Sequence, residues 1–372
     1  MDVISLTQKL LSFDNSNPPG NEEEIALFTG DLLSDNGFTT EYYYFDEKRV
    51  HLVAERGLSN SRHQLVFSGH FDTVPLGSAS WYSDPFAGET KDGKIWGRGS
   101  SDMKGALAAM IISSIEAFAE DPPEGGIRMI FSAAEELGCI GIQHLVKILK
   151  SPQNASAIII GEPTSNRPAT GHKGALYLKA VFEGRTAHSS MPELGDNAIY
   201  KAAKAVLKIK DLDLSTNWDQ LLGFPTVNVG LINGGTSINT VPDRAEFTID
   251  LRSTTTTDHK SFLERLKKET EGEAVFEVLT DLSPVYTHES DPFVKIVQEA
   301  CGTQEQEAKY PLALPYLTDG AVLQRYYDNA PTVILGPGEP EMAHQTDEFC
   351  YIDKLEQSVD IYRKIIKLWS RE

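Results

Sequence analysis

The stretch Gln64-Leu65-Val66-Phe67-Ser68-Gly69-His70-Phe71-Asp72-Thr73-Val74-Pro75 decides how the rest of the chain reads. Its apolar run predicts a short buried strand ending at Gly69, where a bend is easy. His70 and Asp72 follow at a spacing of two, which in extended backbone puts both side chains on one face. A metal-binding imidazole usually donates its second N–H to a carboxylate, which fixes its tautomer and orientation. His70 therefore reads as a metal ligand and Asp72 as its orienting partner. A His two residues from an Asp is common by itself, so the weight falls on the other strand ends.

Working outward, strand-like and helix-like segments alternate from the N-terminus to about residue 170, as in an α/β layer. Residues 22–36 predict a helix, 50–55 a strand, and 94–96 a strand-like lead into Gly97-Arg98-Gly99-Ser100-Ser101-Asp102-Met103-Lys104-Gly105. A helix rich in Ala, Leu, Met and Ile runs to about 119. Strands at 126–132 and 157–160 end at Ala133-Ala134-Glu135-Glu136-Leu137-Gly138 and Gly161-Glu162-Pro163-Thr164. The texture then changes to half-exposed alternation at 174–183, a helix at 197–209, strands at 226–232 and 245–252, a helix at 259–271 and a strand at 274–279. That β-α-β-β-α-β order is a ferredoxin-like module, placed at 171–282 within the first domain, with hinges near Gly171 and Leu282. A helix at 291–301, a buried strand at 332–335, the segment Ala343-His344-Gln345-Thr346-Asp347-Glu348 and a helix at 353–369 resume the first domain.

A chain of 372 residues suits two domains, because single cores rarely grow past roughly 250–300 residues. No apolar run approaches the ~18 residues that span a bilayer. The first eleven residues read as an amphipathic helix, not a signal peptide, so the cytoplasm is the expected location. The 54 acidic against 34 basic residues give a net charge of −20, which argues against nucleic acid or an anionic membrane as partner. Cys139, Cys301 and Cys350 are too few and scattered for a disulfide framework or a Cys-based zinc site, and read as small buried hydrophobes. Asn154-Ala155-Ser156 is a glycosylation sequon by pattern only. His51, His63, His144, His172, His259 and His288 match no ligand position. No Gly-x-Ser-x-Gly elbow or phosphate-binding loop occurs, which weakens serine-hydrolase and nucleotide readings.

His70, Asp102, Glu135 with Glu136, Glu162 and His344 each lie just past a strand or strand-like lead. Open α/β sheets bind ligands where the carboxyl ends of their strands converge. One sheet would thus gather two imidazoles and four carboxylates into a single pocket, with strong like-charge repulsion and desolvation cost. Two divalent cations relieve both. Histidine and carboxylate without thiolate suit zinc, with cobalt or manganese as substitutes. Two metals ~3.5–4 Å apart need a bridging ligand, which makes five protein ligands with one shared.

His70-Phe71-Asp72-Thr73-Val74-Pro75, Gly99-Ser100-Ser101-Asp102-Met103-Lys104-Gly105, Glu135-Glu136-Leu137-Gly138, Gly161-Glu162-Pro163-Thr164 and Ala343-His344 together resemble the acetylornithine deacetylase / succinyl-diaminopimelate desuccinylase family of co-catalytic zinc amidohydrolases. Glutamate carboxypeptidases and aminoacylases are similar. The resemblance spans the chain in the family's motif order. It implies a zinc-exopeptidase-like three-layer α/β/α catalytic domain (1–170 and 283–372) with an inserted ferredoxin-like α+β dimerisation domain (171–282). It implies that His70 and Glu162 complete one metal and Glu136 and His344 the other, with Asp102 bridging and a cis peptide after it. Glu135 would be the general base, since a carboxylate beside acidified water can take its proton and pass it to the leaving amine. In Thr186-Ala187-His188-Ser189-Ser190-Met191-Pro192 the resemblance makes His188 an oxyanion donor supplied by the partner subunit's module, which implies a C2 homodimer. Gly234-Gly235-Thr236-Ser237-Ile238-Asn239-Thr240-Val241-Pro242 and Asp250-Leu251-Arg252 also match. There Asn239 would hold the scissile carbonyl and Arg252 a substrate carboxylate.

The expected activity is hydrolysis of the amide of an N-acyl-L-amino acid. Thr318-Asp319-Gly320-Ala321 lies where similar enzymes shape acyl specificity, and Thr318 is the candidate substrate contact there. The fuller Gly-Thr-Ser-Asp-Gly-Arg pattern associated with desuccinylases is missing, which leans the expectation towards a smaller acyl group such as acetyl. The nearest rivals are a dipeptidase or carboxypeptidase and a desuccinylase with the same metals. A rival of another class is a non-catalytic, metal-stabilised binding protein, which predicts a broken ligand set or a lost base.

Overall fold

The computed structural model describes residues 1–59, 64–149, 155–302 and 312–371; His63 and the sequon's Asn154 lie outside them. The chain divides into two compact units. The first comprises Met1–Gly171, Tyr286–Ala313 and Thr318–Glu372, and the second His172–Val285 with Leu314–Leu317. Leu314–Leu317, assigned from sequence to the first domain, thus groups with the inserted one.

The first unit is built on a sheet with the spatial order Thr39–Asp46, Arg49–Arg56, Ile127–Ser132, Leu65–His70, Ala157–Ile160, Thr332–Ile334, Ala169–His172, Val285–Tyr286. Four of these strands are parallel, with His70 opposite Ser132, Ser68 opposite Ile160 and Ile160 opposite Ile334. Parallel strands in this register end together, so the loops that follow them emerge along one edge. Both faces are buried, as near-continuous apolar strands require. Leu65, Phe67, Met129, Phe131 and Ile159 share a core with the helices Val3–Leu11, Gly105–Glu120, Pro292–Cys301 and Ile352–Trp369. The alternate residues Val66, Ile130 and Ile158 are equally buried; the helix Ile140–Ile148 packs on Ile127–Ser132 and against the helix Gly320–Tyr326.

Two local readings change. Gly69 does not end its strand, which runs to His70. Its lack of a side chain serves close approach instead: a Cβ there would lie 2.3 Å from Met103 Cε and 2.6 Å from Leu107 Cδ2. Lys94–Trp96 does not belong to the main sheet. It forms a separate three-stranded sheet with Glu89–Lys91 and Phe349–Tyr351. Asp102 is therefore delivered by a kinked turn ahead of Gly105–Glu120, with φ −124° and ψ 89°, and not by a strand end of the main sheet.

The second unit has the sheet order Thr226–Gly234, Arg244–Ser253, Gly174–Glu183, Ala274–Leu282, antiparallel throughout. Helices Ala198–Lys210 and His259–Glu269 are capped by the side chains of Asn197 and Asp258, which accept otherwise orphaned N–H groups. Ala202, Ile209, Phe262 and Leu266 from these helices pack on Leu178, Phe182, Phe247 and Ile249 of the sheet. This is the ferredoxin-like βαββαβ topology. Cys139, Cys301 and Cys350 are free. Among the described residues no helix is long and apolar enough to cross a membrane.

Two histidines belong to the packing. Burial depresses His51 from 6.5 to about 3, and burial depresses His172 from 6.5 to about 4. Between pH 6.5 and those values the unfolded chain binds protons that the folded chain does not. Their stability contribution is therefore complete above pH 6.5 and lost as pH falls towards 4 and 3. At pH 5 the loss is about 2 kcal/mol per group. Denaturation at pH 7 and 5 checks this: a His51→Asn variant loses less stability on acidification than the parent. Parallel losses in the two proteins would show that His51 does not contribute to the acid sensitivity.

Candidate metal centre

The shared edge of the parallel strands brings His70, Glu135, Glu136 and Glu162 forward from three neighbouring strands. His70 is 1% exposed. Its Nδ1 hydrogen-bonds the main-chain carbonyl of Asp72 at 2.8 Å, while the Asp72 carboxylate is 3.8 Å away. The orienting group is therefore the Asp72 carbonyl. The Asp72 carboxylate instead accepts the Glu135 N–H (3.1 Å), the Glu136 N–H (3.2 Å) and the Asn17 side-chain amide (2.9 Å). It shapes the turn that presents both glutamates, in which Ala134 is left-handed at φ +59°.

Asp102 stands between two donor sets. Its Oδ1 lies 3.1 Å from His70 Nε2, which is itself 3.7 Å from Glu162 Oε1. Its Oδ2 lies 3.4 Å from His344 Nε2, which is 3.0 Å from Glu136 Oε2. Within each of the groups His70–Asp102–Glu162 and Asp102–Glu136–His344 the donor atoms lie within 4.8 Å of one another. The Asp102–Met103 peptide is cis.

The charges of these groups oppose one another. Burial, then the Asp102 charge, pushes Glu162 well above the usual carboxylate range and raises Glu136 as well. Burial works against a charged His70, yet its hydrogen bond to Asp102 and the Glu162 charge carry it well above an ordinary imidazole. Hydrogen bonds to Asp102 and Glu136 carry His344 to about 10. Against its burial, the His344 and His70 contacts hold Asp102 below the usual range. Glu136 Oε1 is buried with no hydrogen-bond partner among the described residues. Imidazole and carboxylate donors around one bidentate carboxylate, with an orphaned oxygen among them, fit a pair of divalent cations. Such cations favour neutral imidazole and ionised carboxylate, the reverse of the shifts on His70, His344, Glu136 and Glu162, while Asp102 is already held in its ionised form.

Glu135 is 8% exposed. Burial, together with the Asp319 and Glu136 charges, raises its carboxyl well above the usual range, while His70 draws it down. The Cys139 thiol donates to Glu135 Oε1 at 3.2 Å. Cys139, Asp319 and Glu135 have their polar atoms within 4.8 Å of one another. Asp319 accepts from the Ser132 hydroxyl, and burial pushes it up to about 7. Cys139 is buried, as expected of a small hydrophobe, but beside the Glu135 carboxylate. Asn17, Cys139 and Asp319 carry no motif that marks these contacts. Thr318 is buried, and its hydroxyl accepts the Gly320 N–H at 3.0 Å ahead of the helix Gly320–Tyr326.

In the inserted unit, His188 and Asn239 are exposed neighbours: the Ser189 N–H donates to the Asn239 carbonyl (3.0 Å) and His188 bridges Thr240. His188 Nδ1 accepts the Ser190 N–H at 3.1 Å. Arg252 lies in the strand Arg244–Ser253, held by Asp250 at 2.9 Å.

Residues 66–368 match Peptidase family M20/M25/M40. The chain is 30% identical to a Staphylococcus epidermidis protein named "Probable succinyl-diaminopimelate desuccinylase", covering 99% of this chain and 98% of the relative. It is 29% identical to an acetylornithine deacetylase from Vibrio vulnificus, covering 97% and 95%. Its fold matches an M20 family metallo-carboxypeptidase from Sulfolobus solfataricus with a TM-score of 0.79 at 20% identity, covering 100% of both chains. With its imidazoles and carboxylates gathered around Asp102, the chain belongs to peptidase family M20/M25/M40 and is a metal-dependent amidohydrolase.

Proposed function

We propose that the protein hydrolyses the amide bond of an N-acyl-L-amino acid, as an acetylornithine deacetylase does, releasing a carboxylate and a free amine. The observation that carries this reading is the Asp102 carboxylate, with one oxygen towards each imidazole–carboxylate pair. In it His70 and Glu162 hold one cation, Glu136 and His344 the other, and Asp102 both. Zinc suits the donors best, with cobalt or manganese as substitutes. When bound, the cations polarise the scissile carbonyl and acidify water.

Glu135 takes the proton from the attacking water and delivers it to the nitrogen of the leaving amine. Because His188 Nδ1 accepts the Ser190 N–H, its proton sits on Nε2, the form that donates to an oxyanion. Asn239 holds the scissile carbonyl, and Arg252, steadied on one edge by Asp250, binds the substrate carboxylate. Thr318 borders the acyl group. The protein acts as a cytoplasmic homodimer joined through the inserted unit. The outer edge strand Thr226–Gly234 supports that, since Leu231 and Ile232 are 63% and 54% exposed on it.

The test is turnover of N-acetyl amino acids, N-succinyl amino acids and dipeptides by protein loaded with zinc, cobalt or manganese. N-acetyl substrates are cleaved fastest, and chelation removes the activity. Cleavage of dipeptides alone would replace the deacylase reading with a dipeptidase; preference for succinyl substrates would overturn the acetyl assignment.

A further inference from the structure

One buried ion pair, outside the cation donors, touches three of the segments that carry them. Glu348 is 0% exposed and Arg98 2% exposed. Glu348 Oε1 accepts the main-chain N–H groups of Ser101 (2.8 Å) and Asp102 (3.0 Å). Its Oε2 accepts the Gly99 N–H (2.9 Å) and Arg98 Nη1 (2.7 Å). Arg98 continues outward, donating from Nη1 to the Gln345 carbonyl (3.1 Å) and from Nη2 to the Pro75 carbonyl (3.3 Å). The pair thus ties together the segment that follows His70, the turn that carries Asp102, and the loop that carries His344.

A carboxylate this deep is tolerated only when its lone pairs are satisfied. Here the donors are the N–H groups of Gly99, Ser101 and Asp102 at the start of the turn Ser100–Lys104, which have no helical carbonyl before them to bond. Glu348 therefore fixes the main chain from which the Asp102 carboxylate projects. We propose that Arg98 and Glu348 are a positioning pair for cation uptake, setting the Asp102 carboxylate so that it serves both donor sets at once. The proposal rests on the two-cation reading of the site.

The two donor sets depend on the pair unequally. His70 has its own anchor in the Asp72 carbonyl and is sealed from solvent. The His344 side chain is 52% exposed on a residue held at φ +65°. The Arg98 contact to Gln345 and the Glu348 contacts lie immediately beyond it in sequence. Loosening the pair weakens the His344–Glu136 cation first.

Glu348→Gln keeps the side-chain shape. One end of the amide is then a donor, and it faces either the Ser101 and Asp102 N–H groups or the Gly99 N–H and Arg98, donor against donor both ways. Arg98→Lys, the second variant, keeps the charge beside Glu348 but lacks the fork that reaches both Gln345 and Pro75. Apoprotein is titrated with cobalt(II) and followed by calorimetry and visible absorption, after circular dichroism has established folding. The parent takes up two cations per chain. Glu348→Gln binds the second about 10–100-fold more weakly with the first little changed, and Arg98→Lys falls between. Two cations bound with parental affinity in the folded variants would overturn the positioning role alone, as would equal weakening of both sites. A parent that binds no cation would overturn the two-cation reading along with it.

Discussion

Replacing Glu135 by glutamine lowers kcat by about 10²–10⁴-fold, with KM close to the parent's and two cations still taken up. Glutamine occupies the same volume, and its carbonyl oxygen still accepts the Cys139 thiol that now sits 3.2 Å from Glu135 Oε1. The main chain is held independently of the side chain, since the Glu135 N–H goes to Asp72 Oδ1 at 3.1 Å. The proposed cation donors on either side are other residues. What the amide cannot do is accept a proton from water, and that is the function assigned to Glu135. Its place suits it to that role, because the residue is 8% exposed and lies beside the two donor groups without belonging to either. Steady-state kinetics with metal analysis on the same preparation checks the outcome. Unchanged kcat with both cations bound would give the base to another group, and loss of cations would make Glu135 a ligand instead.

The sequence displays this site unevenly, for physical reasons. His70, Glu135, Glu136 and Glu162 follow apolar runs of a parallel sheet, and such strands announce themselves by composition. Their register then brings the ends together, His70 opposite Ser132 and Ser68 opposite Ile160. Asp102 is different. The strand before it belongs to another sheet, so Asp102 does not stand at a strand end of the main sheet and only its family motif marks it. Glu348, Arg98, Asp319 and Asn17 act by meeting main-chain groups or buried partners far away in sequence, up to 250 positions for Arg98 and Glu348. No local spacing encodes such a contact. The helix Ile140–Ile148 was equally silent: its N-terminal neighbour is Cys139 in left-handed geometry, with no capping side chain. The edge strand Thr39–Asp46, with the sequence TTEYYYFD and a register shift between Tyr44 and Asp46, carries no clean alternation to read. In the inserted unit, by contrast, half-exposed strands and capped amphipathic helices state their own geometry.

Asp102→Asn tests the bridge itself and is expected to cost about 10³-fold in kcat, the several kcal/mol of charge stabilisation a cation supplies. The carboxylate has its oxygens 3.1 Å from His70 Nε2 and 3.4 Å from His344 Nε2. An asparagine of the same shape offers an acceptor on one side only, because its amide nitrogen is a donor with no lone pair for a cation. The variant therefore binds one cation per chain. The one retained is on the His70–Glu162 side, where the imidazole is buried and braced by the Asp72 carbonyl. The half-exposed His344 is left with Glu136 alone at 3.0 Å. Metal analysis of dialysed protein gives the stoichiometry. A second substitution, His344→Ala, identifies the site, because it too leaves one cation and its combination with Asp102→Asn removes no further one. Retention of two cations and parental kcat in Asp102→Asn would show that the two donor sets share no ligand. Loss of both would show that neither set holds a cation without the Asp102 charge, so that the bridge is a condition for occupancy of the whole centre.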